Sequence, residues 1–262
     1  MPRHNNPLAH PPRHSLIIPA YNEEACLPRL LDTVDRARER YQAGAALIEV
    51  IVADNASTDR TAEIARTRGC KVVAVEKRVI AASRNGGARA ARGDILAFVD
   101  ADTQIHPETF NEIDRALAGG QVVGGATGIR FERSSAGLTC TYGLLVFMGA
   151  LVRLAFGERP SRQVDAGVVF CRRRDFEEIG GYNEDRFFAE DVQLLLDLSR
   201  LGRKQGQRLG RGTKARAVFS TRKFDEYGDW HYFSAPLRLP WRALHRPGST
   251  NEFARRYWYE RR

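Results

Sequence analysis

Short apolar runs alternate with amphipathic segments in the N-terminal part of the chain. Four runs have strand length; they are 15–20, 47–54, 71–75 and 94–100. The segments between them have helical features: apolar residues at helical spacing from Leu27, Ser and Thr caps upstream of Gly69, and an Ala- and Arg-rich stretch at 82–93. This alternation predicts an α/β fold, with a mostly parallel sheet between helices in a three-layer α/β/α arrangement.

The polar residues at the ends of these strands predict a site. In such sheets ligands bind beyond the carboxyl ends of the strands, where the first run ends in PAYNEE, the second in ADNASTD and the fourth in VDADT. Asp54, Asp100 and Asp102 are therefore expected to converge. Because residues i and i+2 of a strand share a face, Asp100 and Asp102 would repel each other unless a positive group lay between them.

Composition narrows the class of protein. The 262 residues are 43% hydrophobic, and 41 Lys and Arg against 32 Asp and Glu give a formal net charge of +9. That excess attracts polyanions, but it is dispersed, and the sequence has no helix-turn-helix, zinc or RNP signature, so no nucleic-acid partner is expected. The four cysteines form no C-x-x-C pair, which favours a reducing, cytoplasmic location.

Four segments resemble the motifs of family 2 glycosyltransferases, in the same order and at fitting distances. They are IIPAYNEE, VADNASTDRT, SRNGGARAARGDILAFVDADT and GGYNEDRFFAEDVQLLLDL, and the resemblance covers about residues 15–225. It implies an inverting enzyme with a GT-A fold that transfers a sugar from a nucleotide-sugar donor.

The resemblance also implies roles for the residues at the strand ends. Nucleotide and donor would contact the loops after the first two strands, the Arg-Asn pair of the Gly-rich segment and the D-x-D motif; these residues are Pro19, Tyr21, Glu23, Asp54, Arg84, Asp100 and Asp102. Asp102 would bind a divalent metal, since Mg²⁺ and Mn²⁺ prefer carboxylate and water ligands. A metal–diphosphate complex would then explain how Asp100 and Asp102 tolerate each other.

The acidic pair Glu190 and Asp191 matches the catalytic position of the family. Asp191 would be the general base that takes the proton of the acceptor hydroxyl. The alternative is a charge that only favours the helix dipole. The helix that follows is expected to be anchored by its apolar positions, which are Val192, Leu195, Leu196 and Leu198.

A later strand is predicted within 163–173, on the acceptor side of the site. Asp165 and Gly167 would line the donor sugar there with Glu190, although Gly167 could serve packing alone. The Q-x-x-R-W sequence of processive family members does not occur, which favours a single transfer. His231 is either a late metal ligand or a packing residue.

Two other functions remain open: a catalytically inactive nucleotide-sugar-binding protein and a sugar nucleotidyltransferase. Intact acidic motifs argue against the first. A nucleotidyltransferase usually opens with a Gly-rich phosphate loop and a Lys, and IIPAYNEE has no such loop.

The resemblance divides the chain into a flexible leader, one GT-A domain with a nucleotide-binding and an acceptor half, and a basic, aromatic extension. The ranges are 1–14, then 15–235 with halves 15–102 and 103–235, then 236–262. The apolar stretch 138–156 predicts a buried helix, a membrane-surface helix or a dimer contact. The acceptor is a small molecule or is lipid-linked; a lipid-linked acceptor would bring the extension against an anionic membrane, at the inner face.

Overall fold

The computed structural model describes residues 11–133, 135, 137–140, 143, 147, 166–185, 190–222 and 228. The strands are β1 (His14–Ala20), β2 (Ile48–Asp54), β3 (Lys71–Ala74), β4 (Ile95–Phe98), β5 (Thr103–Gln104), β6 (Val122–Phe131), β7 (Val169–Arg172) and β8 (Arg208–Phe219). The helices are α1 (Leu27–Arg40), α2 (Thr61–Thr67), α3 (Ile80–Ala90), α4 (Thr109–Ala118), α5 (Arg173–Glu178) and α6 (Glu190–Lys204), with a 3-10 turn at Ala45–Leu47.

The strands form one mixed sheet in the order β3-β2-β1-β4-β7-β6-β8-β5. The four strands predicted from the apolar runs are parallel to one another, with Ile17 of β1 opposite Ile51 of β2 and Phe98 of β4. The second half is not uniform, because β7 runs antiparallel to both β4 and β6, and β8 runs parallel to β6 but antiparallel to β5. The predicted α/β sheet is confirmed, and its antiparallel β7 was not foreseen.

The core lies on both faces of this sheet. Alternate residues of β1 enter different clusters: Leu16 and Ile18 pack with α1 and α4, and Ile17 packs with α3 and α6. A strand buried on both faces needs a continuous apolar run, as β1 has. Helices therefore cover the sheet on two sides, which confirms the three layers.

The directions of the strands decide which residues reach the site. β1, β2, β4, β6 and β8 all end at the same edge of the sheet, here called the carboxyl edge. Because β7 runs the other way, its start lies at that edge, with Val169 opposite Phe98. Residues after β8 consequently meet the loops after β1 and β4.

The Gly-rich segment forms a continuous helix despite the low helix propensity of its glycines. α3 continues through Gly86 and Gly87, although glycine weakens helices. A Cβ on Gly87 would lie 2.4 Å from Cγ2 of Ile17, and one on Gly86 would lie 2.6 Å from Cγ2 of Val75. The glycines allow α3 to approach the sheet closely, and this packing outweighs the lower propensity.

The residues that anchor α6 are only partly those predicted. Leu195 and Leu198 are buried as expected, but Val192 is 37% exposed and Leu196 is only partly buried. The other buried leucines are Leu194 and Leu201. The expectation was wrong for Val192 because it misjudged which side of the first helical turn faces the sheet.

The sheet starts before the predicted domain boundary. His14 belongs to β1, and the backbone of Arg13 forms hydrogen bonds with Leu47 and Ile95 at 2.8 and 2.9 Å. Arg13 and His14 are therefore part of the folded domain and not of the predicted leader. In the part of the chain that the structure describes, none of the helices has the length and apolar character required to cross a bilayer.

Candidate active site

A buried arginine lies at the centre of the carboxyl edge. Arg84 of α3 is 2% exposed. Its Nη2 donates to Oδ1 of Asp100 at 2.7 Å, and its Nη1 donates to Oε1 of Glu190 at 2.9 Å. The same Nη1 forms an ion pair with Oδ1 of Asp191 at 2.9 Å. One cation thus holds three carboxylates from two distant segments, which satisfies the condition for burying a charge.

Tyr182 completes this group, here called the Arg84 cluster (Arg84, Asp100, Tyr182, Glu190 and Asp191). Its hydroxyl donates to Oδ1 of Asp191 at 2.8 Å, and the Arg84 guanidinium lies 5.1 Å from its ring centroid. Tyr182 was not among the predicted site residues, although it stands within the GGYNED segment.

The side chain of Asn85 holds Tyr182 in place by two hydrogen bonds to the Tyr182 backbone. The Asn85 side chain donates to the Tyr182 carbonyl and accepts from the Tyr182 N–H, both at 2.9 Å. The preceding Gly181 has φ +74°, and a Cβ there would lie 2.8 Å from Oδ1 of Asn85. Glycine is therefore needed where the chain approaches Asn85.

The environment of Asp191 changes its acidity. Burial raises its pKa to about 6; Arg84 opposes the rise, Glu190 and Asp100 add to it, and the Tyr182 hydrogen bond opposes it. The side chain still has 26% of its surface exposed. A reachable carboxylate with a pKa near neutrality can accept a proton from a bound hydroxyl.

The loops after β1 and β2 form the other end of the site. Oδ1 of Asp54 accepts from the Ser57 N–H at 3.2 Å, and Asn22 joins the two loops by donating its N–H to Oγ of Ser57 at 3.0 Å. The Tyr21 ring lies 4.0 Å from the guanidinium carbon of Arg78. Asp54 and Tyr21 therefore lie on neighbouring loops, as expected for a shared ligand.

Two predicted nucleoside contacts are less accessible than the others. Pro19 is a buried residue of β1 itself. Glu23 is 3% exposed; its N–H donates to Oγ1 of Thr61 at 2.8 Å, and its carboxylate faces Arg222. Their assignment to the nucleoside remains a prediction.

Asp100 and Asp102 contact different arginines. β4 ends at Phe98, so both aspartates follow the strand, and strand alternation does not fix their relative direction. Asp100 contacts Arg84, whereas Oδ2 of Asp102 lies 3.9 Å from Nη2 of Arg222. The strand argument for a shared face therefore does not apply, and a metal shared by the two carboxylates stays a prediction.

The donor atoms for a metal are few. The described part of the chain holds no group of three or more His, Cys, Asp or Glu side chains arranged to bind an ion. Asp102 offers a carboxylate that is 21% exposed. That set fits Mg²⁺ or Mn²⁺ bound with a substrate, since such ions take one or two carboxylates plus phosphate oxygens and waters.

The remaining predicted residues divide into two groups. Gly167 is buried, and a Cβ there would lie 2.8 Å from Oγ1 of Thr127 and from Cβ of Ala217, so packing explains this glycine. Asp165, His231, the range 236–262 and most of 138–156 lie outside the described residues.

The chain is similar to proteins that act on sugars. It is 40% identical over 123 residues to an undecaprenyl-phosphate 4-deoxy-4-formamido-L-arabinose transferase of Pseudomonas paraeruginosa, over 42% of this chain and 34% of that one. The matched region thus spans about a third of this relative's length.

Two solved structures share the fold. One is a mannosyltransferase of Pyrobaculum calidifontis in complex with GDP-Man and Mn²⁺, with TM-score 0.60, 19% identity, and coverage of 96% of this chain and 70% of that chain. The other is the glucosyl-3-phosphoglycerate synthase of Mycobacterium tuberculosis with Mn²⁺, UDP-Glc and phosphoglyceric acid, with TM-score 0.59, 20% identity, and coverage of 86% and 78%. At this identity the likeness concerns the fold, a GT-A sheet flanked by helices.

The family assignment rests on a family model. The model described as "Glycosyl transferase family 2" matches residues 15–180, which hold β1 from Ser15 onward, β2 to β7, and the Arg84 and Asp100 members of the Arg84 cluster. The chain therefore belongs to glycosyl transferase family 2.

Proposed function

We propose that the protein is an inverting, metal-assisted glycosyltransferase that moves one sugar from a nucleotide-sugar donor to an acceptor hydroxyl. The observation that carries this proposal is the position of Asp191. Its Oδ1 is held by both Arg84 and Tyr182, at 2.9 and 2.8 Å, while the side chain remains partly exposed at the carboxyl edge. A carboxylate oriented in this way is suited to act as a single general base.

The proton transfer can be assigned to one atom. Among the described residues, Arg84 and Tyr182 both contact Oδ1, so Oδ2 of Asp191 is the oxygen that we assign to take the acceptor proton. As that proton leaves, the hydroxyl oxygen bonds to the anomeric carbon, and the bond from that carbon to the diphosphate breaks. The electron pair departs with the nucleoside diphosphate, and attack from the opposite face inverts the configuration.

The donor would lie along the loops after β1, β2 and β4. Asp54 and Tyr21 would contact the base and ribose, and Asp100, kept in place by Arg84, would lie near the ribose and the donor sugar. Asp102 would hold the divalent metal. That ion, when bound, neutralises the charge that develops on the diphosphate.

The donor and acceptor classes follow from the family and remain proposals. Solved proteins with this fold carry GDP-Man or UDP-Glc, and both contain Mn²⁺. The Pseudomonas relative is named for a polyprenyl-phosphate acceptor, and the Mycobacterium structure holds phosphoglyceric acid. We infer that this chain uses a UDP- or GDP-linked sugar, with either a small acceptor or a lipid-linked one at the inner face of an anionic membrane.

A donor panel tests the proposal. UDP-, GDP- and dTDP-linked sugars would be incubated with the full chain and Mn²⁺, with small phosphorylated and polyprenyl-phosphate acceptors, and the products followed by NMR. We expect one donor to be consumed only with metal and to give a product of inverted anomeric configuration. Retained configuration would exclude the inverting mechanism. Nucleotide-sugar binding without turnover in any combination would favour the inactive binding protein.

A further inference from the structure

A second arginine approaches the carboxyl edge from the opposite end of the sheet. β8 ends at Phe219, and Arg222 follows three residues later. Its Nη2 lies 3.4 Å from Oε2 and 3.5 Å from Oε1 of Glu23, and its Nη1 lies 3.2 Å from Sγ of Cys26. The same Nη2 lies 3.9 Å from Oδ2 of Asp102, so one guanidinium lies between two carboxylates.

The two carboxylates hold this guanidinium differently. Glu23 is 3% exposed, and a buried carboxylate requires a paired cation. The separation of 3.9 Å from Asp102 is too long for a hydrogen bond but short enough for charge attraction. Glu23 therefore fixes the position of Arg222. The positive charge of Arg222 attracts the Asp102 carboxylate without a hydrogen bond between them.

Arg222 stays charged and accessible in this position. Burial lowers its pKa, and Glu23, Cys26 and Asp102 more than offset that effect, so the pKa lies above the usual value. The side chain is 41% exposed, in contrast to the 3% of Arg84. Because Arg222 is exposed and its contact with Asp102 is long, a more strongly bound cation can replace it beside this carboxylate.

We propose that Arg222 is a built-in counter-cation for Asp102 that competes with the divalent metal for this carboxylate. The inference rests on the proposed function, in which Asp102 holds the metal. Metal alone then binds weakly, because it must approach Asp102 against the charge of Arg222. A donor diphosphate relieves this repulsion, because its negative charge faces both cations. Arg222 thereby couples metal binding to donor binding.

The test measures Mn²⁺ binding without nucleotide, by isothermal titration calorimetry or by the electron paramagnetic resonance of free Mn²⁺. Arg222→Gln should bind Mn²⁺ about threefold to tenfold more tightly than the wild type, the scale of removing one partly screened charge about 4 Å away. Arg222→Lys keeps the charge and should stay close to the wild type.

A matched control separates this local effect from net charge. Arg29 of α1 lies on the same edge, is 56% exposed and pairs with Glu132, so Arg29→Gln removes an equal charge without altering the contact with Asp102. We expect its Mn²⁺ affinity to equal that of the wild type. Equal tightening in Arg29→Gln and Arg222→Gln would overturn the proposal.

Asp102→Asn separates the counter-cation role of Arg222 from the assignment of Asp102 as the metal ligand. If it weakens Mn²⁺ binding while Arg222→Gln leaves the affinity unchanged, the counter-cation role is wrong and the metal assignment stands. If Asp102→Asn leaves Mn²⁺ binding unchanged, both are overturned. With UDP or GDP at saturation, the gain from Arg222→Gln should disappear or reverse, because the diphosphate then neutralises Arg222; a gain that persists would contradict the coupling.

Discussion

Arg84 and Arg222 approach the same edge of the sheet, yet their surroundings differ. Arg84 comes from a helix packed on the sheet, and its side chain is 3% exposed and contacts three carboxylates at 2.7 to 2.9 Å. Arg222 follows a strand end, is 41% exposed and approaches Asp102 only to 3.9 Å. Asp100 and Asp102, two residues apart, thus face one buried arginine and one partly exposed arginine, and the second is the one that we propose is displaceable.

The difference suggests a division of labour at the site. A buried arginine that pairs with three carboxylates keeps them in one geometry before substrate arrives, and such preorganisation is what a catalytic base requires. A half-exposed arginine beside the predicted metal ligand suits a position that changes its partner when the donor binds.

Asp191→Asn removes the proton acceptor of the fixed cluster and keeps its shape. We expect sugar transfer to fall by roughly 10²- to 10⁴-fold, the usual scale of general base catalysis, while donor binding persists. Single-turnover transfer and calorimetric titration of the donor measure the two effects. Wild-type transfer by a folded variant would reject Asp191 as the base.

Arg84→Met leaves Asp100, Glu190 and Asp191 without their common cation. Removing one partner of a buried ion pair is strongly destabilising, and we expect a loss of about 3 kcal/mol, the lower end of the range since the carboxylates reach water. The matched change Arg222→Gln should cost less, about 1–2 kcal/mol: it takes this cation from the buried Glu23, but the contacts are long, Arg222 is partly exposed and a glutamine amide can still donate to the carboxylate. Urea unfolding of the metal-free proteins gives both values. Equal losses would remove the distinction between the arginines.

Asp102→Asn tests the predicted metal ligand beside Arg222. Changes in residues that only support metal ligands cost 10- to 100-fold in affinity, so loss of a direct ligand should weaken Mn²⁺ binding by more than about tenfold. Donor binding should weaken with it, because a metal held by Asp102 would neutralise charge on the donor diphosphate. Asp197→Asn on α6 is a suitable control, since Asp197 pairs with Arg200 instead. Unchanged nucleotide affinity at saturating Mn²⁺, with full turnover, would refute the assignment.

Much of the parallel half of the fold could be predicted from the sequence. The four apolar runs are long enough to define β1 to β4, and the cluster of polar strand ends predicts the carboxyl edge correctly. Side-chain directions were less accessible. β4 ends two residues earlier than predicted, so alternation gives no direction for Asp100 and Asp102, because it holds only within the strand.

The arginine contacts lay beyond the reach of local patterns. Arg84 stood in a quoted motif, but its burial beneath three carboxylates depends on α6, and Glu190 lies 106 residues away in the chain. Arg222 and Glu23 are 199 residues apart and meet because β8 runs parallel to β6. Neither charge pairing nor spacing in the sequence indicates such a contact, because the strand order of the second half decides it.

Tyr182→Phe gives the smallest expected effect, a shift in pH dependence. Asp191 works as a base only when ionised, so transfer should fall as the pH drops through about 6, the pKa that burial gives this carboxyl. The Tyr182 hydroxyl stabilises the ionised form, with Arg84, against the opposing charges of Glu190 and Asp100. Its removal should raise the pKa of Asp191, so that transfer is lost at a higher pH than in the wild type.

The pH profile of kcat/KM measures this midpoint in both proteins. Tyr41→Phe provides the control, because the Tyr41 hydroxyl donates to Asp114 at 2.7 Å, away from the Arg84 cluster. Its profile should overlie that of the wild type. An upward shift of the midpoint in Tyr182→Phe alone would support the Arg84 cluster as the feature that determines the pKa of Asp191. A purely structural role for Tyr182 would lower the rate without moving the midpoint. A midpoint that stays in place, or moves to lower pH, would contradict the role of this hydroxyl.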